Sequence, residues 1–248
     1  MRSFCQAVLR PGDRVSVPAH TFGEYAVSVE CAGAVPVVPQ DGTAMEFFCN
    51  PNNPTGTLVP RPEVMKKIQA HEDAGTLLFI DEAFIDLADP AESVTGVCSE
   101  HAFVLRSLTK AFCVPGIRFG WGVGCPDLIA AIEAIRPPWS VNAYAEGYAR
   151  IALDHADQLE ASRERIAEER SFLAGALASR GLSVCPSAVN FLLFQSPVHA
   201  SLLKERLLAH GILVRDCASF GLPDHVRIAV RTRDENRTLL EALDACLP

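Results

Sequence analysis

The chain has 248 residues, 49% of them hydrophobic, enough for a core in one large domain or in one large and one small. Its formal net charge is -8 with a sequence pI of about 5.4, and no block of basic residues appears, which argues against nucleic acid as a partner. No apolar run is long enough to span a bilayer and no signal-peptide pattern precedes the first turn, so the expectation is a cytoplasmic protein with no membrane partner.

In chain order, "RVSVPA" (14–19), "VPVV" (35–38), "MEFFC" (45–49), "TLLFID" (76–81), "AFVLRS" (102–107) and "IRFGWGV" (117–123) read as strands. Helical patterns fall between several of them: "FGEYAVSVECAG", "PEVMKKIQAHEDAG" and "PDLIAAIEAIR". Pro62 and Pro126 suit a first helical turn, and Gly33 and Gly75 suit helix ends. Strands alternating with helices predict a mainly parallel sheet covered on both faces, here a large domain over residues 1–140. The character changes after Pro137-Pro138. A long helix is predicted over roughly 141–180, then "LSVCPS", "NFLLFQ", a helix near 198–209, "GILVRD", "VRIAV" and a last helix. Thr232 and Glu235 form a capping box for that helix, and Leu239, Leu240 and Leu243 give it an apolar face. Residues 141–248 thus read as a connecting helix and a smaller α+β domain. The nine cysteines include no C-x-x-C pair and lie mostly in apolar segments, which predicts reduced core thiols and neither a disulfide frame nor a metal site.

Three segments carry candidate chemistry. "CNPNNPTG" (49–56) follows an apolar strand; alone, its crowding of Asn, Pro and Gly reads as a turn. "FIDEAFIDL" (79–87) is an apolar strand ending in Asp81 and Glu82, acids that serve equally well as a cap on the next helix. "RSLTKAFCVPGIRFGWGVG" (106–124) sets Lys110 beside Ser107 and Thr109, with a Pro115-Gly116 turn and Arg118 eight residues on. A lone lysine is ordinarily a solvated charge. Strand-like flanks instead place this one in a strand-to-strand connection at the edge of a core, where burial or a neighbouring cation frees an amine as a nucleophile. Asn53, Asp81 and Lys110 all fall at the carboxyl ends of predicted strands, where open α/β sheets bind ligands.

In this order and with these gaps, "NPNNPTG", "DEAF" and "SLTK" followed by Arg118 resemble the signature of fold-type I pyridoxal-phosphate enzymes, the aminotransferase class I/II family. The likeness runs nearly from end to end of the chain. It implies the aminotransferase-like α/β fold, with a mainly parallel large-domain sheet and a smaller C-terminal α+β domain, and pyridoxal 5'-phosphate as cofactor. It makes Lys110 the amine that takes the cofactor's aldehyde. It makes Asp81 the anion that keeps the pyridine nitrogen protonated. Asn53 matches the partner of the ring hydroxyl, and Ser107, Thr109 and Arg118 match the groups that hold the phosphate. Phe22, in "HTFGEY", matches the aromatic residue stacked on the ring; read alone it is a core phenylalanine. Arg227, in "VRIAV", matches the arginine that receives the substrate's α-carboxylate.

Within the family, "RPPWSVNAYAE", "GILVRDCASFGL" and "VRIAVRTRDEN" look most like the threonine-phosphate decarboxylases of cobalamin biosynthesis, with histidinol-phosphate aminotransferases as near relatives. Phe84 stands where aminotransferases commonly have a tyrosine. Arg231 lies four residues beyond Arg227, so a continuing strand puts both on one face, suiting a substrate with a carboxylate and a phosphate. Read alone, Arg231 is a surface ion pair, and Arg215 and Arg233 are ordinary cations. The resemblance therefore implies decarboxylation of threonine phosphate to aminopropanol phosphate, or alternatively transamination of the histidinol-phosphate type, and a homodimer. Family members usually carry some tens of residues before the stretch like "VLRPGDRV", including a Gly-rich loop at a helix start that helps hold the phosphate. The large domain is accordingly expected to be N-terminally incomplete, and a truncated, non-catalytic homologue is the reading from another class.

Overall fold

Short runs of Val, Phe, Leu and Ile build a six-stranded sheet in the computed structural model, which describes residues 1–247. The strands are β1 (Arg14–Ser16), β2 (Val35–Val37), β3 (Met45–Cys49), β4 (Leu77–Asp81), β5 (Ala102–Ser107) and β6 (Gly120–Val123). Their order is β2-β1-β3-β4-β5-β6; the first five are mutually parallel and β6 runs antiparallel to β5. Six helices accompany them: α1 (Arg2–Val8), α2 (Glu24–Glu30), α3 (Arg61–Ala74), the one-turn α4 (Leu108–Ala111), α5 (Pro126–Ile135) and α6 (Ala143–Asp154). Proline occupies the first turn of α3 and α5, and Gly75 ends α3 at φ 65°, a left-handed cap that glycine adopts without a Cβ clash.

Alternation along the strands assigns the two faces. Phe47, Phe79 and Phe103 point to one side and pack with Phe4, Tyr25 and Leu128; Phe4 and Phe47 lie 4.9 and 4.8 Å from the Phe79 ring. Leu78, Ile80 and Val104 point to the other, against Val64 and Ile68 of α3 and Val94. Both faces are thus covered, as a parallel sheet requires. Gly122 of β6 has a specific reason: a Cβ there would lie 2.0 Å from Phe103 Cζ.

A second compact unit combines residues 52–58 with the chain from Glu160 onward; the first comprises 1–51 and 59–159. The second holds β7 (Phe191–Gln195), β8 (Arg215–Cys217) and β9 (Leu222–Ala229) in an antiparallel sheet of order β7-β9-β8. Its helices are α7 (Leu159–Ala178), α8 (Ala200–Ala209) and α9 (Arg233–Cys246). Leu173, Leu177, Phe194, Leu207, Val226 and Leu243 form its core, and the Thr232–Glu235 capping box opens α9 as the sequence predicts.

The predicted helix over 141–180 is in fact two. A 3-10 turn at Ala156–Gln158 separates α6 from α7. The break follows packing: Ala149 and Ala152 of α6 are buried with Leu108 in the first unit, whereas Leu173 and Leu177 of α7 belong to the core of the second. The division therefore falls near residue 159, where the composition change had suggested 140. "LSVCPS" contributes one bridge, Val184 to Phe194, and no strand. None of the nine cysteines is in a disulfide; Cys5, Cys49, Cys125, Cys217 and Cys246 are buried, but Cys31, Cys98 and Cys113 are exposed and are not core thiols. No helix among the described residues is long and apolar enough to cross a membrane.

Phe79 is fully buried at the centre of the aromatic cluster, so Phe79→Ala is expected to lower the unfolding free energy by about 3–5 kcal/mol in urea titrations. Val38→Ala, at a side chain 70% exposed, should stay within about 0.5 kcal/mol of the parent.

Candidate active site

In the first unit, parallel pairing aligns Cys49 of β3 with Asp81 of β4 and Asp81 with Leu105 of β5, so these strands end at one edge. Asp81 is the last residue of β4 and lies on the Phe79 side, nearly fully buried. Tyr25 Oη donates to its Oδ2 at 2.7 Å, and the Ala83 N–H donates to its Oδ1 at 3.0 Å. Burial pushes the Asp81 carboxyl above its ordinary range; the hydrogen bonds from Tyr25 and Ala83 and the charges of the Met1 amino group and Lys110 oppose that without cancelling it. No ion pair among the described residues involves Asp81, so a buried carboxylate is held here without a cationic salt-bridge partner.

Glu82, the next residue, turns to the opposite face. Its carboxylate accepts from Val94 N–H at 2.7 Å, Ser93 Oγ at 2.5 Å and Thr95 Oγ1 at 3.1 Å, and lies 3.6 Å from Arg106. Arg106 also pairs with Asp86 at 2.5 Å and packs its guanidinium over Trp121. This network joins the ends of β4 and β5 behind Asp81 and Ser107.

Lys110 sits on α4, between β5 and β6, and is exposed rather than buried. The predicted strand-to-strand connection is present, and Lys110 Nζ lies 5.7 Å from the centroid of the Phe84 ring. Ser107 Oγ and Thr109 Oγ1 are 2.9 Å apart. Arg118 does not join them by a hydrogen bond. It is exposed, at φ 61°, and its Nη1 donates to the Pro115 carbonyl at 3.0 Å. Phe22 is partly buried, its ring edge-on to Tyr25 with centroids 5.7 Å apart.

The second unit brings Asn53 and Arg227 together: Arg227 Nη1 donates to Asn53 Oδ1. Their loop is pinned by Gly56, whose carbonyl accepts from the Ala188 N–H at 2.9 Å; at φ 79°, and with Ser187 Oγ 2.2 Å from where a Cβ would stand, only glycine fits. Arg227 lies 4.9 Å over the Phe191 ring, and burial draws its pKa down. Directly opposite it in the β8–β9 register stands Arg215, which donates to Ser219 Oγ at 2.8 Å. Arg231 lies beyond that strand. β9 ends at Ala229, so the period-two argument lapses, and Arg231 is a 63% exposed side chain paired with Glu235 at 2.5 Å.

The aminotransferase class I and II profile matches residues 1–243. The chain belongs to this family. It is 34% identical to the histidinol-phosphate aminotransferase of Symbiobacterium thermophilum over 99% of this chain and 73% of the relative. Among solved structures, the histidinol-phosphate aminotransferase from Clostridium acetobutylicum matches with a TM-score of 0.88 and 26% identity, covering 98% of this chain and 80% of that one. The L-threonine-O-3-phosphate decarboxylase from Porphyromonas gingivalis matches with a TM-score of 0.85 and 25% identity, covering 98% and 79%. The fold is that of the pyridoxal-phosphate-dependent aminotransferases, and the cofactor is pyridoxal 5'-phosphate. The residues present fit it: Asp81 is a buried carboxyl in no ion pair among the described residues, and a protonated ring nitrogen would supply that partner.

Two features of this aminotransferase-family enzyme escaped the sequence. Tyr25 lies three residues past Phe22, at the spacing of one helical turn, but its partner is 56 residues away. Arg215 gains its meaning only from the cross-strand register with Arg227.

Removing Arg106 would strand Glu82, whose side chain is 1% exposed, among its remaining partners without a cation. Arg106→Ala is expected to cost about 3–5 kcal/mol in urea unfolding, and the double variant Arg106→Met, Glu82→Leu markedly less.

Proposed function

We propose that this enzyme is a pyridoxal-phosphate-dependent aminotransferase acting on a small phosphorylated amino compound, of the histidinol-phosphate type. The observation that carries this reading is the opposed pair Arg215 and Arg227. Like charges directly across a ladder repel, and a dianionic group between them removes that cost. A phosphate carries about -1.5 to -2 charge at pH 7 and three acceptor oxygens. The names of the Symbiobacterium and Clostridium relatives support the same substrate class.

Pyridoxal phosphate, when bound, supplies an electron sink that weakens bonds to the carbon bearing the substrate's amine. In this reading Lys110 Nζ would be the amine that holds the cofactor's aldehyde, and the base that moves a proton at the substrate carbon bearing the amine. The centroid of the Phe84 ring lies 5.7 Å from Lys110 Nζ. In the first unit Asp81 would hold the ring nitrogen, Phe22 the ring plane, and Ser107, Thr109 and Arg118 the cofactor phosphate; the family resemblance would give Asn53, of the second unit, the ring hydroxyl. Arg231 has no part in this reading. A homodimer accompanies it, and the exposed apolar side chains of Trp139, Tyr144 and Ile151 offer a second copy its contact.

A second reading is decarboxylation of threonine phosphate. Phe84 in place of the usual tyrosine and the match to the Porphyromonas gingivalis structure favour it.

Histidinol phosphate with 2-oxoglutarate should yield glutamate, and threonine phosphate alone should yield no carbon dioxide; the opposite pattern selects the second reading. Lys110→Ala should abolish turnover and any borohydride-stable cofactor adduct. Arg227→Ala should lower kcat/KM by roughly ten- to a hundred-fold, while Arg231→Ala stays within about two-fold. Equal losses in the two arginine variants would restore Arg231 to the site.

A further inference from the structure

Tyr25 is fully buried, yet packing alone does not ask for a tyrosine. Its ring stacks on Phe47 at 4.6 Å and 10°, and it meets Phe22 edge-on at 87°; a phenylalanine would make both contacts. The hydroxyl is what a phenylalanine lacks. Buried without a partner it would destabilise the fold, and its partner is Asp81 Oδ2 at 2.7 Å. The Ala83 N–H takes the other oxygen at 3.0 Å, so two fixed donors define the plane of the carboxylate.

We infer that Tyr25 is a positioning residue for Asp81: its hydroxyl fixes the orientation of the carboxylate and favours its ionised form, so that the cofactor's ring nitrogen meets a charged, aligned acceptor. The inference rests on the proposed role of Asp81. One helix turn thereby couples two functions, because Phe22 and Tyr25 both come from the entry to α2. Burial, then the neighbouring Cys49 and Asp81, holds the Tyr25 hydroxyl well above its ordinary pKa, which keeps it a donor throughout the working range. The titratable and charged groups facing the pair are Cys49 from β3, Lys110 from α4 and the amino group of Met1 ahead of α1.

Losing this donor raises the pKa of the Asp81 carboxyl. A hydrogen bond to a charged group is worth about 1.5–3 kcal/mol, which corresponds to a shift of about one to two pH units. The experiment measures the dissociation constant of pyridoxal phosphate from the apoenzyme by equilibrium dialysis across pH, with melting of the apoenzyme as control. In Tyr25→Phe the acid-side loss of affinity should begin about one unit higher than in the parent. Asp81→Asn should remove that component of the pH dependence, and Tyr25→Phe added to Asp81→Asn should then change nothing further. An unmoved acid limb in Tyr25→Phe, with Asp81→Asn still impaired, overturns the inference and leaves the role of Asp81 intact. Unaltered binding in Asp81→Asn overturns that role itself. Should Tyr25→Phe fail to fold, replacing the tyrosines with 3,5-difluorotyrosine supplies a stronger donor of similar size. The acid limb should then move to lower pH, and no movement overturns the inference.

Discussion

Parallel pairing of β3, β4 and β5 is the constraint on which the first unit depends. The ladder puts Cys49, Asp81 and Leu105 abreast, so the chain leaves each strand at the same edge. Period-two alternation then divides adjacent residues between opposite faces. Asp81 goes to the side of Tyr25, and Glu82 goes to the side of Ser93 and Thr95. Two neighbouring carboxylates thus acquire different surroundings. Glu82 is enclosed by donors and an arginine, whereas Asp81 has two neutral donors and no ion pair. That contrast is what makes Asp81 suited to a cationic ligand atom and Glu82 suited to structure.

The second unit solves a different electrostatic problem. Its three-stranded sheet opposes two arginines, and aromatic rings lie under both: Phe191 under Arg227 and Phe220 under Arg215. Ring faces attract guanidiniums and offset part of their mutual repulsion. Asn53, from the early part of the chain, accepts from Arg227 and limits where its guanidinium points. Under the proposed function, cations held this way would be in place before an anion arrives, which would reduce the ordering cost of binding.

The strands were legible in the sequence because each is a short apolar run bounded by turn residues, and β1 to β6 fall where those runs do. The family was legible because its motifs keep their order and gaps. Geometry that depends on distant partners was not. α6 and α7 share one helical pattern, but they pack into different cores, so the chain breaks at Ala156–Gln158. Arg231 follows Arg227 at strand spacing, but β9 stops at Ala229, and the Thr232 capping box redirects the chain. Lys110 was expected in a strand-to-strand connection at the edge of a core, and it stands there on a single helical turn that the sequence did not announce, with its side chain exposed. Tyr25 looked like one more aromatic residue because nothing local reports a carboxylate 56 residues away.

The segment 52–58 belongs to the second unit although both its flanks belong to the first. Gly56 receives the Ala188 N–H, and Asn53 receives Arg227, whereas Asn50 clamps Val59 on the other side through paired bonds of 2.8 and 2.9 Å. The two units are therefore not modules that a gene could exchange at one junction. A shuffled chain joined at residue 159 would carry the Gly56 segment of one parent and the Ser187–Val189 turn of the other, and any side chain at Gly56 would put its Cβ 2.2 Å from Ser187 Oγ. Recombination within this fold must move residues 52–58 together with everything after Leu159, which makes the early loop and the late sheet a single heritable block.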